Sequence, residues 1–185
     1  MSWIIFLVII VIVGLIAISS YNKLIDLKNK VKEASSDIDV QLKRRYDLIP
    51  NLVETVKGAS KFESETLEKV TQARNQAASI TGLGPDKVAA ENALSGSLRQ
   101  LFALSESYPD LKSNQSYLSL QGELTNTEDR ILAARRFYNQ IVSDYNSSQE
   151  QFPTILFKGL AKAEIAPFFE LENPTEERKN VQVKF

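Results

Sequence analysis

The stretch WIIFLVIIVIVGLIAI, residues 3–18, decides the architecture of the chain. It contains no charge and no proline, and 13 of its 16 residues are Ile, Leu, Val or Phe. On an insertion scale these side chains favour the bilayer by roughly 4 to 8 kcal/mol in total. Trp3 and Tyr21 flank the stretch at a helical distance of about 27 Å, close to a hydrocarbon core of about 30 Å. We therefore predict a transmembrane anchor over residues 1–22, with Trp3, Ile18 and Tyr21 marking the span and residues 3–21 in the lipid bilayer.

A cleaved signal peptide is the alternative interpretation of this segment. Ala17-Ile18-Ser19 resembles a cleavage site only weakly, no Lys or Arg precedes the apolar run, and the run is long for a signal peptide. Four lysines follow it closely: Lys23, Lys28, Lys30 and Lys32. By the positive-inside rule we expect a single-pass protein of the cytoplasmic membrane, with its N-terminus outside and its C-terminal domain in the cytoplasm.

The composition excludes several classes of function. The formal net charge of −1 argues against a dedicated nucleic-acid binder. The chain has no cysteine and no histidine, which removes disulfides, thiolate nucleophiles, most zinc sites and every triad with a histidine base. We therefore expect no cofactor, no metal site and no catalytic residues, and we predict that the protein is not an enzyme.

Beyond the span, apolar residues recur at intervals near 3.5, the spacing of coiled-coil-like helix packing. They predict four helices, which run from the span through Lys57, from a capping box at residues 60–63, from Asp86 to about Tyr108, and from about Ser113 to Asn146. The predicted fold is all-α: an N-terminal transmembrane helix followed by an antiparallel four-helix bundle (residues 23–147) with long first and last helices. Pro50 either kinks the first helix or starts a new one. The apolar pattern passes through it unshifted, which favours the kink.

Residues 148–185 form an amphipathic, aromatic-rich tail that holds five of the nine phenylalanines. We predict a short amphipathic helix between Ile155 and Ile165. It would fold onto the base of the bundle or, alternatively, lie on the membrane surface as an interfacial helix. Residues 181–185 alternate like a short strand. The candidate interfacial residues of the tail are Phe152, Phe157, Phe168 and Phe169.

Several distinctive motifs occur in order along the chain. The longest is IDVQLKRRYDLIPNLV at residues 38–53, followed by VKG at 56–58. The others are YPDLK at 108–112, TEDRI at 127–131, ARRFYN at 134–139, FP at 152–153 and FFE at 168–170. This set of motifs resembles that of the LemA family, and the resemblance covers almost the whole chain, including the N-terminal span. It implies a bacterial or archaeal membrane protein with a helical-bundle domain and a short external N-terminus. It implies no activity, although some members of the family are linked to membrane organelles and envelope processes.

Within these motifs, polar residues occur at near-core helical spacing. They are Asp39, Arg44, Arg45, Asp47 and Asn51 on the first helix, and Glu128, Asp129, Arg135, Arg136 and Asn139 on the fourth. Arg45 and Glu128 fall near the apolar seams of their helices, so an antiparallel pair of helices could bring them into a buried ion pair. Such a network would fix helix register, or it would form a ligand or partner surface.

We accordingly expect a membrane-anchored helical-bundle scaffold or adaptor at the cytoplasmic face of a bacterial membrane. It would bind a protein partner or associate with itself. The alternative is an oligomeric protein that shapes or remodels the membrane with its bundle and its interfacial tail.

Overall fold

All regular elements are helical in the computed structural model, which describes residues 2–58 and 63–169. The helices are α1 (Ser2–Lys57), α2 (Ser64–Ser79), α3 (Pro85–Ser105), α4 (Pro109–Lys112) and α5 (Gln115–Ser148), and a 3₁₀-helix follows at Thr154–Phe157. No strand occurs in these described ranges. The predictions of an all-α fold and of a long apolar N-terminal helix are confirmed. Residues 181–185, whose alternation resembles that of a short strand, lie outside the described residues.

Helix α1 combines an exposed apolar beginning with a packed remainder. Its first part is long and apolar enough to cross a membrane, and its side chains there lie on the surface. The first buried residue of the helix is Ser20, only 8% exposed, and Leu24 is fully buried. Packing against the rest of the protein therefore begins where the apolar segment ends.

Pro50 lies inside α1 and does not separate two helices. A proline has no N–H, so the carbonyl oxygen of Tyr46, four residues earlier, lacks its helical donor. Arg74 of α2 supplies a substitute, because its Nε donates to the Tyr46 carbonyl oxygen at 3.2 Å. A side chain from a neighbouring helix thus compensates for the proline.

The helix ends differ in detail from those predicted. Asp86 lies in the first turn of α3, which begins at Pro85 with Gly84 as its N-cap; proline at the first helical position loses no hydrogen bond. Asn114 caps α5, since its Oδ1 accepts hydrogen bonds from the backbone N–H groups of Ser116 and Tyr117. Helix α2 begins at Ser64, and residues 60–62 of the predicted capping box lie outside the described residues.

The described chain divides into two compact units. The first unit contains residues 2–38 and 134–168, and the second contains residues 39–133 together with Phe169. In the first unit, Leu24, Tyr145, Ala161 and Ala163 form a buried apolar cluster. In the second unit, the buried apolar residues of α1 include Leu42, Ile49, Leu52 and Val56, which keep the spacing predicted from the sequence.

The predicted amphipathic helix between Ile155 and Ile165 is wrong. The 3₁₀-helix ends at Phe157, turns follow to residue 162, and residues 163–169 have no regular structure. The physical reason is that helices α1 and α5 use the carbonyl groups of this segment. Lys28 donates to the carbonyl oxygens of Ala161 and Lys162, and Asn146 donates to that of Ala166. Gly159 also lowers the helix propensity of the segment.

The four phenylalanines proposed for the interface differ in exposure. Phe152 and Phe168 lie on the surface, and Phe157 is half-buried. Phe169 is only 1% exposed, so its assignment to a lipid-facing set is wrong. Its ring is part of the protein interior.

Candidate functional site

Arg45 lies at the centre of the site. It occupies a position in α1 at which the spacing of the neighbouring apolar residues predicts another apolar side chain. It falls in the series Ile38, Leu42, Ile49, Leu52, whose other members are all buried, and it is itself 0% exposed. A buried guanidinium must be paired and hydrogen-bonded, because desolvating an isolated charge is very costly.

Two carboxylates from two other helices pair with Arg45. Its Nη2 forms a buried ion pair with Glu91 of α3, and its Nη1 lies 2.6 Å from Oε2 of Glu128 on α5. Ser95 links them further: its hydroxyl accepts from Arg45 Nη1 at 2.8 Å and donates to Glu128 Oε1 at 2.9 Å. Three helices of the second unit are thereby joined through one guanidinium.

The other carboxylate oxygen of Glu91, Oε1, is bound by Tyr46 and Lys87. The Tyr46 hydroxyl donates to Glu91 Oε1, and Lys87 Nζ lies 3.2 Å from the same oxygen. Lys87 also donates to the Tyr46 hydroxyl at 3.0 Å and to the carbonyl oxygens of Ala77 and Ile80 at 2.8 and 3.0 Å. A cation at these carbonyls stabilises the C-terminal end of α2, where the helix dipole is negative.

The charges of this network cancel. Arg45 and Lys87 contribute two positive charges, and Glu91 and Glu128 contribute two negative ones. Burial, followed by the hydrogen bond to Glu91, raises the pKa of the Tyr46 hydroxyl well above its ordinary range. Tyr46 therefore stays a neutral donor. We call these six residues (Arg45, Tyr46, Lys87, Glu91, Ser95 and Glu128) the Arg45 network.

The Arg45 network is built to hold helices together. Glu91 and Arg45 are fully buried. The two Nη atoms of Arg45 bind both carboxylates and Ser95, whereas its buried Nε has no hydrogen-bond partner among the described residues. Among the charged members only Glu128 is partly open, with 42% of its side chain exposed, and the uncharged Ser95 is half-buried. Among residues 2–58 and 63–169, no group of three or more Asp and Glu side chains is placed to hold a metal ion.

A shallow groove runs beside α2 and α3, with a volume of about 460 Å³. Its lining residues are Gln76, Ile80, Asp86, Ala89, Ala90 and Ala93. Asp86 is the single charged group among them, so this lining lacks the paired groups that acid–base or nucleophilic chemistry requires.

The structure brings together only some of the residues that the sequence motifs singled out. Arg45 meets Glu128, as the seam positions predicted. Arg44 lies 4.0 Å from Glu123, and Asp47 pairs with Lys43 at 2.7 Å, both on the surface. The side chains of the remaining candidates in this unit are exposed: Asp39, Asn51 and Asp129.

The other three candidates belong to the first unit. Arg135 is buried, Asn139 is half-buried and Arg136 is exposed. A single site built from all ten residues stays a prediction.

Sequence reasoning missed Tyr46, Lys87, Glu91 and Ser95. A signal for two of them exists, because Lys87 and Glu91 continue the series Leu94, Leu98, Leu101 at spacings of three and four. Charged residues on an apolar stripe indicate a buried pair.

Comparison with known proteins agrees with the motifs. The family model described as "LemA family" matches residues 34–185, so the apolar start of α1 lies outside the match. Protein LemA of Metamycoplasma hominis is 34% identical over 136 residues, which cover 72% of this chain and 61% of that protein.

More distant relatives carry the name of an organelle. Magnetosome protein MamQ 2 of Paramagnetospirillum magneticum is 25% identical, and magnetosome protein MamQ of Magnetospirillum gryphiswaldense is 21% identical. Each match covers 72% of this chain and 58% of the relative. The chain thus spans about three fifths of the length of these curated relatives. Because the family model covers most of its residues, the chain belongs to the LemA family.

Proposed function

We propose that this protein is a membrane-anchored helical scaffold or adaptor at the cytoplasmic face of a bacterial membrane. The apolar beginning of α1 spans the bilayer, and the helical domain that follows presents exposed surfaces to a protein partner.

One observation carries this proposal: a single uninterrupted helix includes both the exposed apolar segment and Arg45. The Arg45 network fixes the register of three helices, and its charged side chains are paired with one another. Both features suit a protein that holds a partner at a membrane better than one that transforms a substrate.

Phe137 is a suitable place to look for the partner. Its ring is 55% exposed on α5, and large exposed aromatic side chains are enriched where proteins bind each other. Residue 137 belongs to the ARRFYN motif that the family resemblance singled out.

The test is photo-crosslinking of the full chain in intact membranes. A photoreactive phenylalanine analogue replaces Phe137 in one variant and the exposed Ser143 of the same helix in a control variant. We expect one defined protein to be crosslinked at position 137 and not at position 143, and mass spectrometry identifies it. Identical, diffuse crosslinking at both positions would contradict the scaffold proposal.

The second candidate is a membrane-shaping oligomer, and the exposed apolar residues of the tail favour it. In that case the dominant product at position 137 would be a crosslink between two copies of this chain. The same experiment therefore separates the two proposals.

A further inference from the structure

We propose that residues 152–168, which we call the docking segment, lie on the lipid headgroup region at the base of the span. They would form a second membrane contact beside the transmembrane helix. This inference rests on the proposed anchoring, because α1 must first bring the segment to the bilayer. The span, the docking segment and the helix residues that bind it all belong to the first unit.

The docking segment is held to the helices by its backbone. Lys28 of α1 donates to the carbonyl oxygens of Ala161 and Lys162 at 3.2 and 3.0 Å. Asn146 of α5 binds both backbone groups of Ala166, with each distance 2.9 Å. Because these contacts use main-chain atoms, they fix the path of the segment and leave many of its side chains at the surface.

The contacts also fix the segment close to the end of the span. Ala161 and Ala163 pack in one cluster with Leu24 and Tyr21. Leu24 follows Ile18 by six residues, or about 9 Å along a helix. The headgroup layer on one side of a bilayer is about 5–8 Å thick. The docking segment therefore contacts α1 near the boundary between the lipid headgroups and water.

The side chains left at the surface are apolar to an unusual degree. Phe152 is 79% exposed, Leu156 67%, Leu160 73% and Ile165 65%. Ile155 and Phe168 are exposed as well. Exposing large apolar side chains to water is unfavourable in proportion to the exposed area. Their transfer into the interfacial layer would recover part of this free energy.

Charge favours a lipid surface as the occupant. Lys158 and Lys162 lie within the segment and outnumber its one acidic residue, Glu164. Lys23 is exposed on α1 near the same level. Lysines beside apolar side chains attract anionic headgroups, which is the pattern of interfacial segments. The proposed anchor also holds the docking segment beside the bilayer, so the segment can contact lipid without a separate binding partner.

The absence of cysteine from the chain makes a direct depth measurement possible. Single-cysteine variants Ile9→Cys, Leu160→Cys, Leu156→Cys and Ser143→Cys are labelled with an environment-sensitive fluorophore. The full chain is reconstituted at low protein-to-lipid ratio in vesicles of phosphatidylcholine and phosphatidylglycerol. The lipids carry a nitroxide quencher either near the headgroup or deep in the acyl chain. All four positions are exposed, so the substitutions disturb no packing.

We expect the deep quencher to act on the label at position 9. The shallow quencher should act on positions 156 and 160 at least about twofold more than on position 143, since interfacial side chains lie about 5–10 Å into the headgroup boundary. If position 9 is quenched while 156 and 160 match 143, the docking inference is overturned and the anchor stands. If position 9 is not quenched, the proposed anchoring fails, and the docking inference fails with it. A blue-shifted but unquenched label at 160 would mean that protein covers the segment, which also overturns the inference.

Discussion

At the scale of single residues, Arg45 shows how a charge can occupy a core position. Its guanidinium replaces an apolar side chain of α1 and binds Glu91 and Glu128. Replacing a buried pair with apolar groups is often harmless, whereas removing one member strands the other in a low-dielectric interior. Without Arg45, the fully buried Glu91 loses the partner of its Oε2 and keeps only Lys87 and Tyr46, which bind its Oε1.

We therefore predict that Arg45→Ala lowers the free energy of unfolding by about 3–5 kcal/mol. Arg44→Ala is the matched control, because Arg44 is an exposed neighbour on the same helix; it should change the value by no more than about 0.5 kcal/mol. Denaturant unfolding of the full chain in detergent, followed by circular dichroism, measures both. Equal small effects would show that Arg45 is not a buried charge partner.

Tyr46 predicts a pH dependence of stability. Burial raises the pKa of its hydroxyl in the folded protein, whereas the unfolded chain ionises near an ordinary value of about 10. Above that pH the unfolded state binds fewer protons, so the free energy of unfolding falls as pH rises. Tyr46→Phe has no ionisable group at this position, so its stability lacks this pH dependence. Between about pH 10 and 12, its free energy of unfolding should fall less steeply with pH than that of the wild type, by up to about 1.4 kcal/mol per pH unit. Identical slopes for the two proteins would refute the assignment.

At the scale of elements, the continuity of α1 depends on a neighbour. Pro50 leaves the Tyr46 carbonyl without its helical donor, and Arg74 of α2 donates to it instead. The helix is therefore tied to α2 at the one position where its own hydrogen-bond ladder is broken.

A double-mutant cycle tests this compensation. We expect Arg74→Ala to cost about 1–2 kcal/mol in the wild-type background, because a partly buried carbonyl loses its donor. In a Pro50→Ala background, the restored N–H of residue 50 serves the same carbonyl, and Arg74→Ala should cost clearly less. Urea unfolding of the four proteins gives the coupling energy. A coupling of zero would mean that the contact is incidental.

Elements with strong local patterns were predictable from the sequence. The spacing of Leu42, Ile49 and Leu52 predicts α1, and the seam positions of Arg45 and Glu128 predict their meeting. Glu91 and Lys87 were missed because the third helix was recognised only by its apolar members, and their charges interrupt that stripe. Whether the Arg45 network also serves a ligand or partner stays a prediction.

The tail was not predictable from local pattern. Its apolar spacing between Ile155 and Ile165 indicates a helix, but Lys28 and Asn146 bind its backbone from far away in sequence. Such long-range hydrogen bonds leave no trace in the segment itself. Tertiary contacts here override helix propensity, which is a weak determinant in short segments.

At the scale of the whole molecule, the central claim is a protein that crosses the membrane once and keeps its helical domain in the cytoplasm. The exposed apolar start of α1 supports a membrane span, and the lysines that follow it support this orientation. A scaffold for cytoplasmic partners requires it, since a domain on the other face could not reach them.

The most direct measurement is thiol accessibility in intact cells. The cysteine-free chain carries either Ser2→Cys, at the N-terminal end of the apolar segment, or Ser143→Cys, on the exposed face of α5. A membrane-impermeant maleimide should label position 2 in intact cells, and position 143 only after the cells are permeabilised. Labelling of position 143 in intact cells would place the helical domain outside and contradict the account.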